Sequence, residues 1–224
     1  PFDDPRLRRA FARATDREAL SDVTEGRASP ALGGFVPPGI PGHLPDTGLS
    51  YNPERARQLL AEAGYPGGEG FPPVDWLTLP GYRARADSLQ AQWRETLGLD
   101  TRWRVVEWAD LSAMLDPEPP VPFLLLWLPD WPDPDNYLRV LISRNAPSWN
   151  HATFSELVDE AGRTLDQKKR MGLYAQAERI LAEQVPVLPL TYHGWHMLLK
   201  PWVKKFPATA TGQQFWKDVI IEPH

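Results

Sequence analysis

The stretch from residue 74 to residue 106 constrains the fold most. Residues 74–79 form a short apolar-rich run. Residues 82–97 carry Ala86, Leu89, Trp93 and Leu97 on one helical face and stop at Gly98, and residues 101–106 alternate like a half-buried strand. Strand, helix and strand in that order imply a parallel crossover, with the helix laid against a sheet. A further run, residues 121–126, is continuous and apolar, as expected of a strand buried on both faces. It leads into Trp127-Leu128-Pro129-Asp130-Trp131-Pro132-Asp133-Pro134-Asp135-Asn136, two indoles and three carboxylates in ten residues. Ligands of open α/β sheets sit beyond the carboxyl ends of the strands, so this loop is the candidate ligand-facing segment.

Amphipathic helices surround these strands. Asp4 is placed as an N-cap with Pro5 at N1, and one helix is expected over residues 5–21 through Leu7, Ala10, Phe11, Ala14 and Leu20. Its arginines, Arg6, Arg9, Arg13 and Arg17, read as a solvated face. Asn52-Pro53 repeats the cap for a helix ended by Gly64. Short helices are expected from Trp108 to Leu115 and from Asp135 to about Ile142, with a Pro-Glu-Pro-Pro turn at residues 117–120. Thr153-Phe154-Ser155-Glu156 has the form of a capping box opening a helix toward Arg163, and Asp166 caps the next helix, which ends before Pro186. Strands are expected at residues 187–192, 195–199 and 218–221. Residues 26–50 are too rich in glycine and proline for a helix or central strand and form a long loop. The sum is a layered α/β unit, with much of its surface given to loops.

Composition removes several function classes. A formal charge of −5 with scattered arginines gives no basic footprint for nucleic acid. The absence of cysteine excludes disulfides and thiolate chemistry. No apolar stretch reaches the roughly 20 residues needed to span a bilayer, and no signal-peptide pattern opens the chain. The start at Pro1, without Met, leads to the expectation of a fragment of something longer. No GxxxxGK[ST], GxSxG, HExxH or GxGxxG motif is present, so no cofactor is expected. His193-Gly194-Trp195-His196 puts its histidines on opposite faces of a strand, and Asp130, Asp133 and Asp135 lack the glycine and spacing of a calcium loop, so no metal is expected. A glycoside-cleaving pair of Asp130 and Glu107 is an alternative without a supporting motif.

Taken in order, the segments resemble the second lobe of family 5 extracellular solute-binding proteins that serve peptide-type ABC transporters, the oligopeptide- and dipeptide-binding proteins. The residues that carry the likeness begin with Phe2-Asp3-Asp4-Pro5-Arg6-Leu7-Arg8-Arg9-Ala10, Asp16-Arg17-Glu18, Val36-Pro37-Pro38-Gly39 and the run Tyr51-Asn52-Pro53-Glu54-Arg55-Ala56. They continue through Glu107-Trp108, the loop at 127–136, Glu160-Ala161, residues 174–181, Val187-Leu188-Pro189-Leu190 and Lys200-Pro201-Trp202-Val203. The resemblance implies a periplasmic-binding-protein-like α/β fold (type II, cluster C), a mixed sheet flanked by helices with long Pro/Gly-rich loops. Residues 1–199 would be the second ligand-binding lobe and 200–224 a return segment toward a first lobe absent from this chain. It further implies a non-enzymatic periplasmic or extracellular importer component, held near the membrane through a permease or lipid anchor. Its partners would be a peptide ligand, the permease subunits and the other lobe, and an isolated lobe would pair weakly with a second copy through its exposed cleft.

In that family an aspartate at the place of Asp130 receives the peptide's α-ammonium group. Asp133 and Asp135 read instead as first-turn residues complementing a helix dipole. Peptide-binding members often carry an arginine a few residues before the aspartate. Here that position reads Phe123-Leu124-Leu125-Leu126. This departure favours a ligand whose other end is neutral, and an oligosaccharide gripped by Trp108, Trp127, Trp131, Trp149 and Asn150 is the alternative ligand.

Overall fold

The structure, a computed structural model, describes residues 1–115, 122–146, 148–194, 196–207 and 215–223. The expected turn at 117–120, the first residue of the 121–126 run and Trp195 lie outside the described residues. Its helices are α1 (Pro5–Arg13), α2 (Arg17–Asp22), α3 (Pro53–Glu62), α4 (Arg83–Leu97), α5 (Trp108–Leu115), α6 (Ile142–Asn145), α7 (Ala152–Arg163) and α8 (Gln167–Gln184). The strands are β1 (Ala28–Pro30), β2 (Asp75–Thr78), β3 (Arg102–Val105), β4 (Phe123–Leu124), β5 (Thr191–His193), β6 (Val203–Lys205) and β7 (Ile220–Ile221).

The expected crossover forms a parallel sheet of order β3-β2-β4, with Trp76 opposite Trp103 and Leu77 opposite Phe123. Helix α4 links β2 to β3 and ends on Gly98 in the left-handed region at φ 72°. Antiparallel pairing occurs separately, in β1 with β5 and β6 with β7. One apolar core joins α1, α3 and α4 to Leu124 of the sheet. A second gathers Phe35, Val36 and Ile40 of the long loop against α7 and α8.

Several expectations need correction. The helix expected over 5–21 breaks at Ala14, because Asp16 turns out of helical geometry and accepts hydrogen bonds from the Glu18 and Ala19 amides, each at 3.0 Å, starting α2. The break turns Arg17 inward. It is 4% exposed, donates to the Pro189 and Leu49 carbonyls at 2.8 Å each, and is pushed down to about 10 by desolvation. Arg17 is therefore a buried tie between loops and no part of a solvated face.

Helix α7 is capped by His151, whose Nδ1 accepts from the Phe154 amide at 3.2 Å, so Thr153 lies two residues too far in to cap it. Residues 187–190 carry no ladder, and pairing is confined to β5, which finds its partner inside the glycine- and proline-rich loop. Residues 196–199 are not a strand, and Asp218 closes a short 3-10 turn before β7. The apolar run at 122–126 is strand only at Phe123–Leu124. The helix expected from Asp135 is a π-helix at Asn136–Leu141, which buries Asn136, Tyr137 and Leu138 in succession. Such widened turns concentrate at functional sites.

Asp166 caps α8 as expected, accepting from the Lys169 amide at 2.7 Å. Asp166→Ala is expected to lower stability by about 1 kcal/mol in a urea titration. An unchanged midpoint would mean that tertiary packing alone holds the end of α8.

Candidate functional site

A large open concavity of about 1960 Å³ runs past Asp75 and Trp76 of β2 and Phe123 and Leu124 of β4 toward β1 and β5. Leu125 to Asp130 form part of its wall, as the position of the loop beyond β4 leads one to expect. Of the residues singled out from sequence, Trp127, Asp130, Trp108, Trp149 and Asn150 line it. Trp131 does not: it is 43% exposed on another side of the loop. Glu107 is exposed and outside the lining too, so the structure does not bring it to a common cleft with Asp130.

The three carboxylates of the loop have different surroundings. Asp133 accepts from both terminal nitrogens of Arg170 at 2.7 and 2.8 Å and from the Asp135 amide at 2.9 Å. Burial alone would raise its pKa, but the Arg170 fork and that amide hold it below the usual carboxylate range. Asp135 accepts from Arg139 Nε at 2.9 Å and from the Tyr174 hydroxyl at 3.0 Å. Burial, with Asp135 adding to it, pushes Tyr174 up to about 12. These two acids fasten the loop to α8 and to its own helix, in keeping with the structural role read from sequence. Asp130 is exposed at the concavity, with one long contact, from Asn136 Nδ2 at 3.4 Å, and no basic partner among the described residues.

Asn136 is the residue that sequence reasoning missed here. It is fully buried, accepts from Trp127 Nε1 at 3.0 Å and donates to Asp130, so a single amide orients both. Arg144 rests over the Trp127 ring at 5.7 Å. Tyr137, Leu141, Arg144 and Asn145 all line the concavity, and their i, i+4, i+7, i+8 spacing was a readable signal that this helical face looks into the site. Trp149 is stacked on His151 and meets Phe154 edge-on, so much of its surface is already used for packing. Trp108, 61% exposed, is the freest of the lining indoles.

Comparison with known proteins agrees with this architecture. The family model described as bacterial extracellular solute-binding proteins, family 5 Middle, matches residues 1–148. A dipeptide-binding protein of Pseudomonas aeruginosa is 31% identical over 234 residues, covering 100% of this chain and 44% of the relative. Heme-binding protein A of Haemophilus influenzae is 29% identical over 235 residues, covering 99% of this chain and 42% of the relative. The chain thus spans less than half the length of the curated relatives it matches. The solved structure of the Escherichia coli murein tripeptide-binding protein MppA superposes with a TM-score of 0.82 at 24% identity, over 100% of this chain and 46% of that one. That likeness gives the periplasmic-binding-protein fold, and the family model, matching about two thirds of the residues, gives the kinship: the chain belongs to the bacterial extracellular solute-binding proteins of family 5.

Proposed function

We propose that this chain is the ligand-facing part of a periplasmic, non-enzymatic solute-binding protein that captures a short peptide and hands it to an ABC permease. In this reading residues 1–199 form one lobe and residues 200–224 return toward a second lobe, and closure of the two around the ligand is the working motion. The observation that carries it is the state of Asp130. Of three carboxylates in its loop, it alone faces the concavity without a cation, in a position where a ligand's ammonium group would supply one. The names of the relatives, a dipeptide-binding and a murein tripeptide-binding protein, support the same ligand class.

The oligosaccharide alternative is less well supported, because the faces and edges of Trp127 and Trp149 already meet Arg144, Asn136, His151 and Phe154. The hydrolase reading pairs Asp130 with Glu107, and Glu107 lies outside the lining of the concavity.

Calorimetric titration of the full-length protein with a pool of natural di- and tripeptides tests the proposal. Asp130→Asn is expected to weaken binding by about 1.5–3 kcal/mol, the worth of a hydrogen bond to a charged group. N-acetylated peptides should show the same weakness on the unaltered protein. Absence of peptide binding by the full-length protein, or equal affinities for the two forms of residue 130, would overturn it.

A further inference from the structure

The widened turn of the π-helix serves the site twice. It turns Asn136 toward Asp130 and Trp127, and it carries the next residue, Tyr137, into the wall of the concavity. There Tyr137 packs in one apolar cluster with Phe35, Ile40 and Leu141, with Trp149 against them, and all of these residues line the open space. Tyr137 is 6% exposed, so nearly all of its ring is spent on packing. Its hydroxyl is not. That oxygen has no hydrogen-bond partner among the described residues, yet it is not one of the polar atoms closed to solvent, so the water it meets is that of the concavity.

The neighbouring phenols are committed. Tyr174 donates to Asp135 at 3.0 Å, and Tyr192 donates to the Gly34 carbonyl at 2.6 Å. For Tyr137, burial is the one cause that moves the phenol, pushing it up to about 12, and no charged side chain among the described residues acts on it. At neutral pH it is therefore an uncharged donor set in an apolar wall. A hydrogen bond gains strength in such surroundings, and an occupant that covers the hydroxyl without offering an acceptor leaves it dry and unpaired. Asp130 is exposed and Tyr137 recessed, and Asn136 joins them, next to Tyr137 in the chain and 3.4 Å from the Asp130 carboxylate. A ligand whose main chain is held at Asp130 reaches the recessed hydroxyl by sending a side chain into the wall.

We propose that the Tyr137 hydroxyl determines specificity: it donates to a neutral acceptor oxygen at the tip of a ligand side chain whose apolar body lies along Phe35, Ile40 and Leu141. This rests on the peptide-binding reading above and narrows its ligand class to peptides bearing a hydroxyl- or amide-tipped side chain. A pocket built to hydrogen-bond such a group rejects an isostere that lacks it, because the lost bond and the unpaired phenol act together.

The test is calorimetric titration of the full-length protein with di- and tripeptides of alanine that carry one varied residue at each position in turn. The varied residue is drawn from the near-isosteric pairs threonine and valine, asparagine and leucine, and tyrosine and phenylalanine. Tyr137→Phe is expected to shift the polar-to-apolar affinity ratio of at least one pair, at one position, by about 3- to 10-fold toward the apolar member. Its melting temperature without ligand should match that of the unaltered protein, since the hydroxyl it loses bonds to none of the described residues. Where the variant fails to fold, the unaltered protein decides: tighter binding of the polar member in at least one pair supports the inference, and tighter binding of the apolar member in every pair overturns it. Ratios unmoved by Tyr137→Phe in every pair would also overturn it. A uniform fall in affinity would then put the hydroxyl on the ligand's main chain, and a lowered melting temperature would give it a partner within the full-length protein. In all these cases peptides bind and the peptide-binding reading stands. Binding of none of the peptides would remove that reading, and the inference with it.

Discussion

Trp93→Ala is expected to destabilise the protein by about 3–5 kcal/mol, the range for emptying the place of a large aromatic side chain in a core. Trp93 is 2% exposed at the centre of α4. Phe11 meets it edge-on at 4.9 Å, Trp76 of β2 lies at 4.8 Å, and Trp103 of β3 stacks at 6.2 Å. It therefore ties α1 and both strands of the crossover to the one helix that connects them. Its Nε1 donates to Thr15 Oγ1 at 3.0 Å, and that hydroxyl donates in turn to the Phe11 carbonyl at 2.8 Å. Alanine leaves the Thr15 bond to Phe11 intact, so the loss comes mainly from the cavity and the broken ring contacts. Trp93→Phe, which keeps most of the volume, should cost roughly 1–2 kcal/mol, of which about 1 kcal/mol is the lost hydrogen bond. On thermal melting the alanine variant should fall by on the order of 10 °C. A loss under about 1.5 kcal/mol would show that this core collapses around the gap, as loosely packed sites do.

Much of the frame was legible in the sequence because its signals are local. Asp4-Pro5, Asn52-Pro53 and Asp166 announce their helices by side-chain chemistry that acts within three residues, and all three accept the amide bonds expected of them. The alternation at 101–106 and the closure at Gly98 likewise located the crossover. What escaped depends on distant chain. β1 pairs with β5 across more than 160 residues, and three-residue strands inside a proline-rich loop leave no periodicity to read. Arg17 belongs with Arg6, Arg9 and Arg13 only on an unbroken helix; once Asp16 starts a new one, the same spacing carries it into the interior. The site divides the same way. Asp130 stands out because it follows an apolar run at the end of a sheet, whereas Asn136 is marked only by its burial and by the partners it has, quantities fixed by tertiary packing.

Glu178 is the clearest case of such a hidden group, and it sets the second large effect. It sits on the apolar face of α8, 1% exposed, where its carboxylate accepts from the Val36 amide at 2.9 Å and anchors the long loop whose Phe35, Pro37, Pro38 and Ile40 line the concavity. Gly34 is required beside it, since a Cβ at that position would overlap the carboxyl group; the Gly34 carbonyl accepts from the Tyr192 hydroxyl at 2.6 Å. Burial pushes Glu178 up to about 7 against the opposing pull of the Val36 and Phe35 amides. The folded state therefore holds its proton more tightly than the unfolded chain, whose carboxyl titrates at 4.5. By linkage the stability from this group is fully present below pH 4.5 and is lost as pH rises through about 7, a decline of about 3 kcal/mol in all. Glu178→Gln keeps an acceptor for Val36 but cannot titrate, so between pH 5 and pH 8 its stability relative to the unaltered protein should rise by about 2–3 kcal/mol. Urea titrations of both proteins at the two pH values read this difference directly. A difference independent of pH would mean that the carboxyl is ionised throughout, with the loop amides outweighing burial, and the loop would then be held by a charge rather than by a shared proton.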